Sequence, residues 1–394
     1  MTRAVYLDHN ATTPVHPRAL EAMLPYFQAE FGNPSSSTHA WGLRARKAVE
    51  DARKSVALLL GAKPQEILFT SGATESNNLA LKGFARACAS TQPGRHIITT
   101  EIEHDSVTQA LRSLDREGFE LTLIRPDPTG CVRAEDLAGA LRHDTILVSV
   151  GAVNGELGTI QPFALVAELC AKQKVVFHTD ATQAVGKIPL DLSRTPIDLL
   201  SLSSHKLYGP KGVGALFVRD GFRLEPLFHG GGQERGLRSG TLNVTGIVGL
   251  GAAAQIRKEE MEDEAKRLGA LRDALWAGIR RICPDATQNG DDAHRIPGTL
   301  NVAFPRLPSE RLLESLPGFA LSAGSACHSG MHAPSPVLAA IGLDEDLASC
   351  CIRFGLGRST TSEDVESLLA ALEKVVRRVR GSSPAKASAA MRYD

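Results

Sequence analysis

Three stretches and one loop set reactive side chains among turn-forming residues. FTSGATESNN (69–78) reads as a strand end, a glycine and a helix start. Backbone N–H groups at such a start can hold a phosphate, and Thr74 adds a hydroxyl. An ordinary capped helix start explains the same residues. VVFHTDATQAVGK (175–187) places Asp180 directly after an apolar strand, where open α/β sheets collect their ligands. A carboxylate there could hold a proton on a heterocyclic nitrogen, or simply cap a helix. SLSSHKLYGPKGVGALFV (201–218) runs a buried strand into Ser203, Ser204, His205 and Lys206, then a turn rich in Gly and Pro. A lysine at the mouth of a sheet can form an imine with a carbonyl if it is desolvated or beside positive charge. A surface turn with a solvated lysine is the plainer alternative. Finally, SAGSACHSG (322–330) sets Cys327 and His328 among small residues that make little core, unlike most of the other cysteines.

Each stretch is weak evidence alone. Together, a phosphate cradle, an acid and a lysine describe a pyridoxal phosphate site. The acid keeps the pyridine nitrogen protonated, the ring becomes an electron sink, and the lysine carries the cofactor as a Schiff base. One strand-turn crossover separates Asp180 from Lys206, so both can face one crevice.

The surrounding elements must build that crevice. EILFT (66–70), HIITT (96–100), ELTLI (120–124), TILVSV (145–150), VVFHT (175–179), IDLLSLS (197–203) and GALFV (214–218) read as strands. Among them lie stretches with apolar residues at spacings of three and four, such as VTQALRSLDREG and FALVAELCAKQ. The alternation predicts an α/β fold with a mostly parallel seven-stranded sheet covered by helices on both faces. The pattern changes near residue 250. A charged amphipathic run, QIRKEEMEDEAKRLGALRDALWAGIRRI, predicts a helix linking two domains. Shorter strands follow at TLNVAF (299–304) and CIRFGLG (351–357), then a helix opened by Ser362 in a capping arrangement. The predicted organisation is a large domain over 16–255, a smaller α/β domain from 1–15 and 256–380, and a disordered tail over 381–394.

The 394 residues carry 44 basic and 44 acidic side chains, a formal net charge of +0. Nothing in that balance draws the chain to nucleic acid or an anionic membrane. No apolar run is long enough to span a bilayer, and MTRAVYLDHN has no signal-peptide core. A cytoplasmic protein is the expectation. Seven cysteines without CxxC or CxxH spacing imply reduced thiols, with no metal site.

The chain resembles the cysteine desulfurases of the NifS/IscS type, within the class V aminotransferase group of fold-type I pyridoxal phosphate enzymes. The resemblance runs from YLDHNATTP and FGNPSSSTHAWG through FTSGATESNN, EHDSV, HTDATQAVGK and SSHKLYGPKGVGAL to GGGQERGLRSGTLNV, GSAC and IRFGLGRSTT. It implies that Lys206 bears the cofactor, that His104 stacks on its ring, that Asp180 pairs with the ring nitrogen and that Gln183 meets the phenolic oxygen. Ala73, Thr74, Ser203 and His205 would hold the phosphate. Thr241 would reach the phosphate of a partner subunit, which implies a homodimer. Asn154 would contact cofactor and substrate, Arg353 would clamp the substrate carboxylate, and Cys327 would be the nucleophile. The implied reaction converts L-cysteine to L-alanine and leaves a persulfide on Cys327. An acceptor protein or thiolation enzyme, for instance in iron–sulfur cluster assembly, would take that sulfur. His104 and His328 are both candidates for an acid or base near the thiol, though His328 also reads as a solvated loop residue.

Two departures stand out. The family's paired asparagines become Asn154 and Gly155 in AVNGELGT, and His328 follows Cys327 where serine or threonine is usual. Either water or a neighbour replaces the missing amide, or substrate handling differs. Selenocysteine lyase is the nearest alternative activity. An aminotransferase of small amino acids would have no use for Cys327, and a noncatalytic scaffold would have no use for Lys206, Asp180 and Arg353 together.

Overall fold

A computed structural model describes residues 4–91, 93–324 and 335–381. Seven strands form the main sheet: β1 (Ile67–Thr70), β2 (His96–Thr100), β3 (Glu120–Ile124), β4 (Thr145–Ser149), β5 (Val176–Asp180), β6 (Leu199–Ser203) and β7 (Gly214–Val218). Their spatial order is β1-β7-β6-β5-β4-β2-β3. β7 runs antiparallel to both its neighbours, and every other pairing is parallel. This is the mostly parallel α/β sheet expected.

Successive residues of these strands enter different apolar layers. Phe69, Ile98, Val148, Phe177, Leu200 and Phe217 join one core with the helix Ala40–Leu60. Leu68, Ile97, Leu147, Val176, Leu199 and Leu216 join another with Leu79, Phe84 and Leu111. Alternation by two, with both faces covered, makes the strands read as continuous apolar runs.

A third core surrounds the antiparallel strands Thr287–Asn289, Thr299–Ala303 and Cys351–Gly355, backed by the helix Ser362–Gly381. Val5 and Leu7 pack into it from the other end of the chain. Both bodies share one helix of 39 residues, Val244–Ile282. Ile247 and Leu250 serve the first core, while Leu268, Leu275 and Ile279 serve the third. The linking helix therefore starts well before the charged run that predicts it. Its first turns, VTGIVGLGAAA, are rich in glycine, a poor helix former. Packing explains the composition: a Cβ on Gly251 would stand 2.6 Å from the Ala52 Cα.

The edge strand β1 is closed by an ion pair. Arg53, buried on the Ala40–Leu60 helix, donates to both Glu234 oxygens at 2.9 and 2.7 Å and to the Ile67 carbonyl at 2.7 Å. Glu234 also accepts from the Phe69 N–H at 2.8 Å. To reach inward, Glu234 and Arg235 adopt left-handed backbone, φ 46° and 59°, a conformation that costs non-glycine residues free energy. Glu234→Ala should destabilise the protein by about 3 kcal/mol in urea unfolding, because the Arg53 charge stays buried without its main partner.

Candidate active site

Parallel strands end on one side of a sheet, and here their ends wall a cleft of about 780 Å³. β5 delivers Asp180 as its last residue, and β6 runs through Ser203 into a 3₁₀ turn holding His205 and Lys206. Gly72 and Ala73 follow β1 and open the helix Ala73–Asn78. β2 leads to Glu103 and His104, the latter capping the helix Asp105–Asp115. The structure thus brings Ala73, Thr74, His104, Asp180, Ser203, His205 and Lys206 to one cavity. Asn154, Gln183 and Arg353 complete its lining from other loops and from the small sheet.

The acid is held in place by a relay. Asp180 Oδ1 accepts from the Thr182 N–H at 2.9 Å, and Oδ2 from Asn77 Nδ2 at 2.7 Å. The same Asn77 nitrogen donates to Ser106 Oγ at 2.8 Å, and Ser106 Oγ meets His104 Nδ1 at 2.8 Å. Acid and histidine are therefore oriented through one amide. Beside them, Glu103 Oε1 accepts from Thr100 Oγ1 and the Gly151 N–H at 2.8 and 2.9 Å. Burial, helped by the charge of Asp180, raises the Glu103 carboxyl to about 7.

The lysine is anchored by the start of the chain. Lys206 Nζ donates to the carbonyls of Asn10 and Ala11 at 2.6 and 2.7 Å. Gln183 Nε2 donates to the same Asn10 carbonyl at 2.9 Å. His205 Nδ1 meets Thr12 Oγ1 at 3.0 Å, and burial beside Lys206, Lys211 and Lys187 pushes this imidazole down to about 4.

At the other wall, the Arg353 Nη2 donates to Asp8 at 2.8 Å and Nη1 to the Gly155 carbonyl at 3.2 Å. Its Nε is buried with no partner among the described residues. Asn154 lines the cleft, but its amide mainly holds the turn. Its Oδ1 accepts from the N–H groups of Glu156 and Leu157, and its Nδ2 donates to the Ile102 carbonyl. Gly155 leaves room for Gln183: a Cβ there would stand 3.2 Å from Gln183 Nε2 and Cγ.

Three expected residues are not among the described lining of the cleft. Thr241 is exposed on the loop before the long helix and is not among the residues lining this chain's cavity. Cys327 and His328 lie outside the described residues, as does the tail beyond 381. The described chain leaves off at Gly324 and resumes at Ser335, which lines the cleft and donates to Glu156 at 2.7 Å. Sequence reasoning missed Asn10, Asn77, Glu103 and Lys187. All four sit inside motifs singled out for their neighbours: YLDHNATTP, FTSGATESNN, EHDSV and HTDATQAVGK.

The donor set fits pyridoxal phosphate. A lysine amine, a carboxylate fixed by two N–H donors, an amide and a helix start beside hydroxyls and a histidine match its aldehyde, ring nitrogen, phenolic oxygen and phosphate. Thr182 Oγ1, buried in the lining without a partner among the described residues, leaves polar capacity for a ligand.

The family model described as aminotransferase class-V matches residues 5–368. The chain is 50% identical over 384 residues to the cysteine desulfurase of Homo sapiens, covering 97% of this chain and 84% of that protein. It is 50% identical over 389 residues to the cysteine desulfurase IscS of Aeromonas salmonicida, covering 98% and 95%. A solved NifS-like protein superposes with a TM-score of 0.89 at 40% identity, covering 95% of this chain and all of that one (100%).

Two outcomes follow from the site's packing and charge. Gly155→Asn should crowd Gln183 and weaken cofactor binding several-fold, measured by equilibrium dialysis, instead of restoring a lost contact. Glu103 binds its proton more tightly folded than unfolded, so the native state loses stability as pH rises from about 4.5 toward 7. Glu103→Gln, which removes that titration, should match the parent near pH 5. By pH 8 it should be more stable by roughly 1–2 kcal/mol in denaturant titrations.

Proposed function

Because the chain belongs to the aminotransferase class-V family and, within it, to the cysteine desulfurases, we propose that it moves the sulfur of L-cysteine onto Cys327 and releases L-alanine. The enzyme is a pyridoxal phosphate-dependent cysteine desulfurase. One observation carries the assignment of its residues: Lys206 and Gln183 share the Asn10 carbonyl in the cleft that Asp180 also lines. Bound there, the cofactor supplies an electron sink for charge developing at the substrate Cα.

The chain's own groups do the rest. Asp180, held by Asn77 and Thr182, keeps a proton on the ring nitrogen. Gln183 meets the phenolic oxygen, and the residues around Ala73, Thr74, Ser203 and His205 take the phosphate. Arg353 binds the substrate carboxylate with its planar guanidinium, whose buried Nε has polar capacity to spare. Lys206 Nζ moves the Cα proton. His104 stacks on the ring and exchanges a proton with the thiol of Cys327. The Cys327 thiolate attacks the substrate sulfur. The Cβ–S bond breaks, the S–S bond forms, and Cβ takes up a proton to become the methyl group of alanine.

Other cysteines are poorly suited to that attack. Burial pushes Cys170 and Cys351 up to about 12 and raises Cys131, so none of these is a ready thiolate. Thr241, exposed and not among the residues lining its own cleft, would serve the phosphate of the partner subunit in a homodimer. A protein acceptor, in iron–sulfur assembly or a thiolation pathway, takes the persulfide sulfur. Among the described residues no helix is long and apolar enough to cross a membrane, and the described cysteines are all free thiols. A cytoplasmic setting agrees with that chemistry.

Purified protein with cofactor and L-cysteine should release alanine and gain one sulfur on Cys327 by mass spectrometry. Cys327→Ser should abolish the added sulfur and cut alanine release about 100-fold or more. Retained alanine release with selenocysteine but none with cysteine would overturn the choice of substrate. Alanine formation unaffected by Cys327→Ser would overturn the role of the thiol.

A further inference from the structure

Behind Lys206 lies a second, small cavity of about 30 Å³, the size of a bound water. His9, Tyr208, Arg257 and Glu264 line it together with Lys206 and a second lysine, Lys187. Lys187 has no part in the reaction described above. It follows the turn after β5, and its Nζ donates to Gln183 Oε1 at 2.5 Å. That bond decides which way the Gln183 amide faces. With the oxygen held by Lys187, the nitrogen is left to donate, and it donates to the Asn10 carbonyl that also receives Lys206. Lys187, Gln183, Asn10 and Lys206 thus form one continuous hydrogen-bonded chain.

We propose that Lys187 is a positioning residue for this site, which fixes the amide of Gln183 and sets by its own charge how tightly the Lys206 nitrogen holds a proton. The proposal rests on the reading of Lys206 as the lysine that carries the cofactor.

The surroundings of Lys187 make its charge sensitive to pH. Burial, then Lys206 on the 3₁₀ turn, Arg257 on the long helix and Arg353 on the small sheet, push its amine down to about 7, while Glu264 opposes them. The Arg257–Glu264 ion pair at 2.9 Å, with Tyr208 donating to Glu264 at 3.1 Å, occupies most of that acid's capacity. The nearby imidazoles of His9 and His205 are both pushed down to about 4 and so stay neutral as Lys187 titrates. Repulsion between two amines is mutual. A positive Lys187 therefore disfavours a proton on the Lys206 nitrogen, as an adjacent cation does for any amine-type nucleophile.

The test is a pH titration of the visible absorption band of the holoenzyme, in the parent and two variants. Lys187→Met removes the charge and should raise the midpoint by about one pH unit. Lys187→Arg keeps the charge at every pH and should lower the midpoint below that of the parent, by a similar or smaller amount. Opposite displacements ordered by charge support the proposal, because a merely structural role would not order them so. Unchanged midpoints, or displacements in the same direction, overturn it. Should Lys187→Met fail to fold, the downward displacement in Lys187→Arg decides alone. Borohydride reduction of the parent, followed by peptide mapping, separates the two levels of failure. A reduced adduct on Lys206 with unordered midpoints overturns only this inference, whereas no adduct on Lys206 overturns the cofactor assignment and this inference with it.

Discussion

The site depends on the need to find acceptors for a lysine amine at the end of a buried strand. Lys206 follows β6, whose residues are all buried, and an ammonium there needs oxygen partners. The chain supplies them from its opposite end, the carbonyls of Asn10 and Ala11. That requirement draws the first dozen residues across the molecule. On the way, Val5 and Leu7 enter the third core, Asp8 pairs with Arg353, and Thr13 bonds the His205 carbonyl through both its backbone and its hydroxyl. One segment therefore serves the lysine, the arginine and the packing of the smaller body.

The charge pattern of the cleft follows from the same arrangement. Cations gather on the side of Lys187, Lys206 and Arg257, with Arg353 close enough to bias the proton on Lys187. Carboxylates gather where Asp180 adds its charge to Glu103. A ligand that carries anionic groups and a ring nitrogen with a proton to share finds partners of opposite charge for both. The amides of Asn77 and Gln183 then fix geometry more than charge, each making two hydrogen bonds to neighbours within the protein.

Much of this was legible in the sequence because strand periodicity and turn residues are local signals. The seven strands of the main sheet announce themselves as apolar runs, and Asp180 and Lys206 are conspicuous at their ends. What was hidden depends on register and on distant parts of the chain. Asn10 acts through its backbone carbonyl, which no side-chain pattern reveals. Asp8 and Arg353 are paired across almost the whole length of the chain. The early start of the long helix was concealed by glycines that serve packing against the Ala40–Leu60 helix. Asn154 looked like a ligand contact because of its motif, yet most of its amide is committed to its own turn.

The ion pair that closes β1 bears on how the protein behaves in a crowded solution. The outer margin of a sheet offers unpaired N–H and C=O groups that can recruit a strand from another molecule. Arg53 and Glu234 occupy the Ile67 carbonyl and the Phe69 N–H with charged side chains. No incoming strand can pair there without first expelling both ions from their contact. The loop that accepts left-handed backbone to bring Glu234 inward thereby acts as a guard against aggregation along the strand that leads into Gly72 and Ala73.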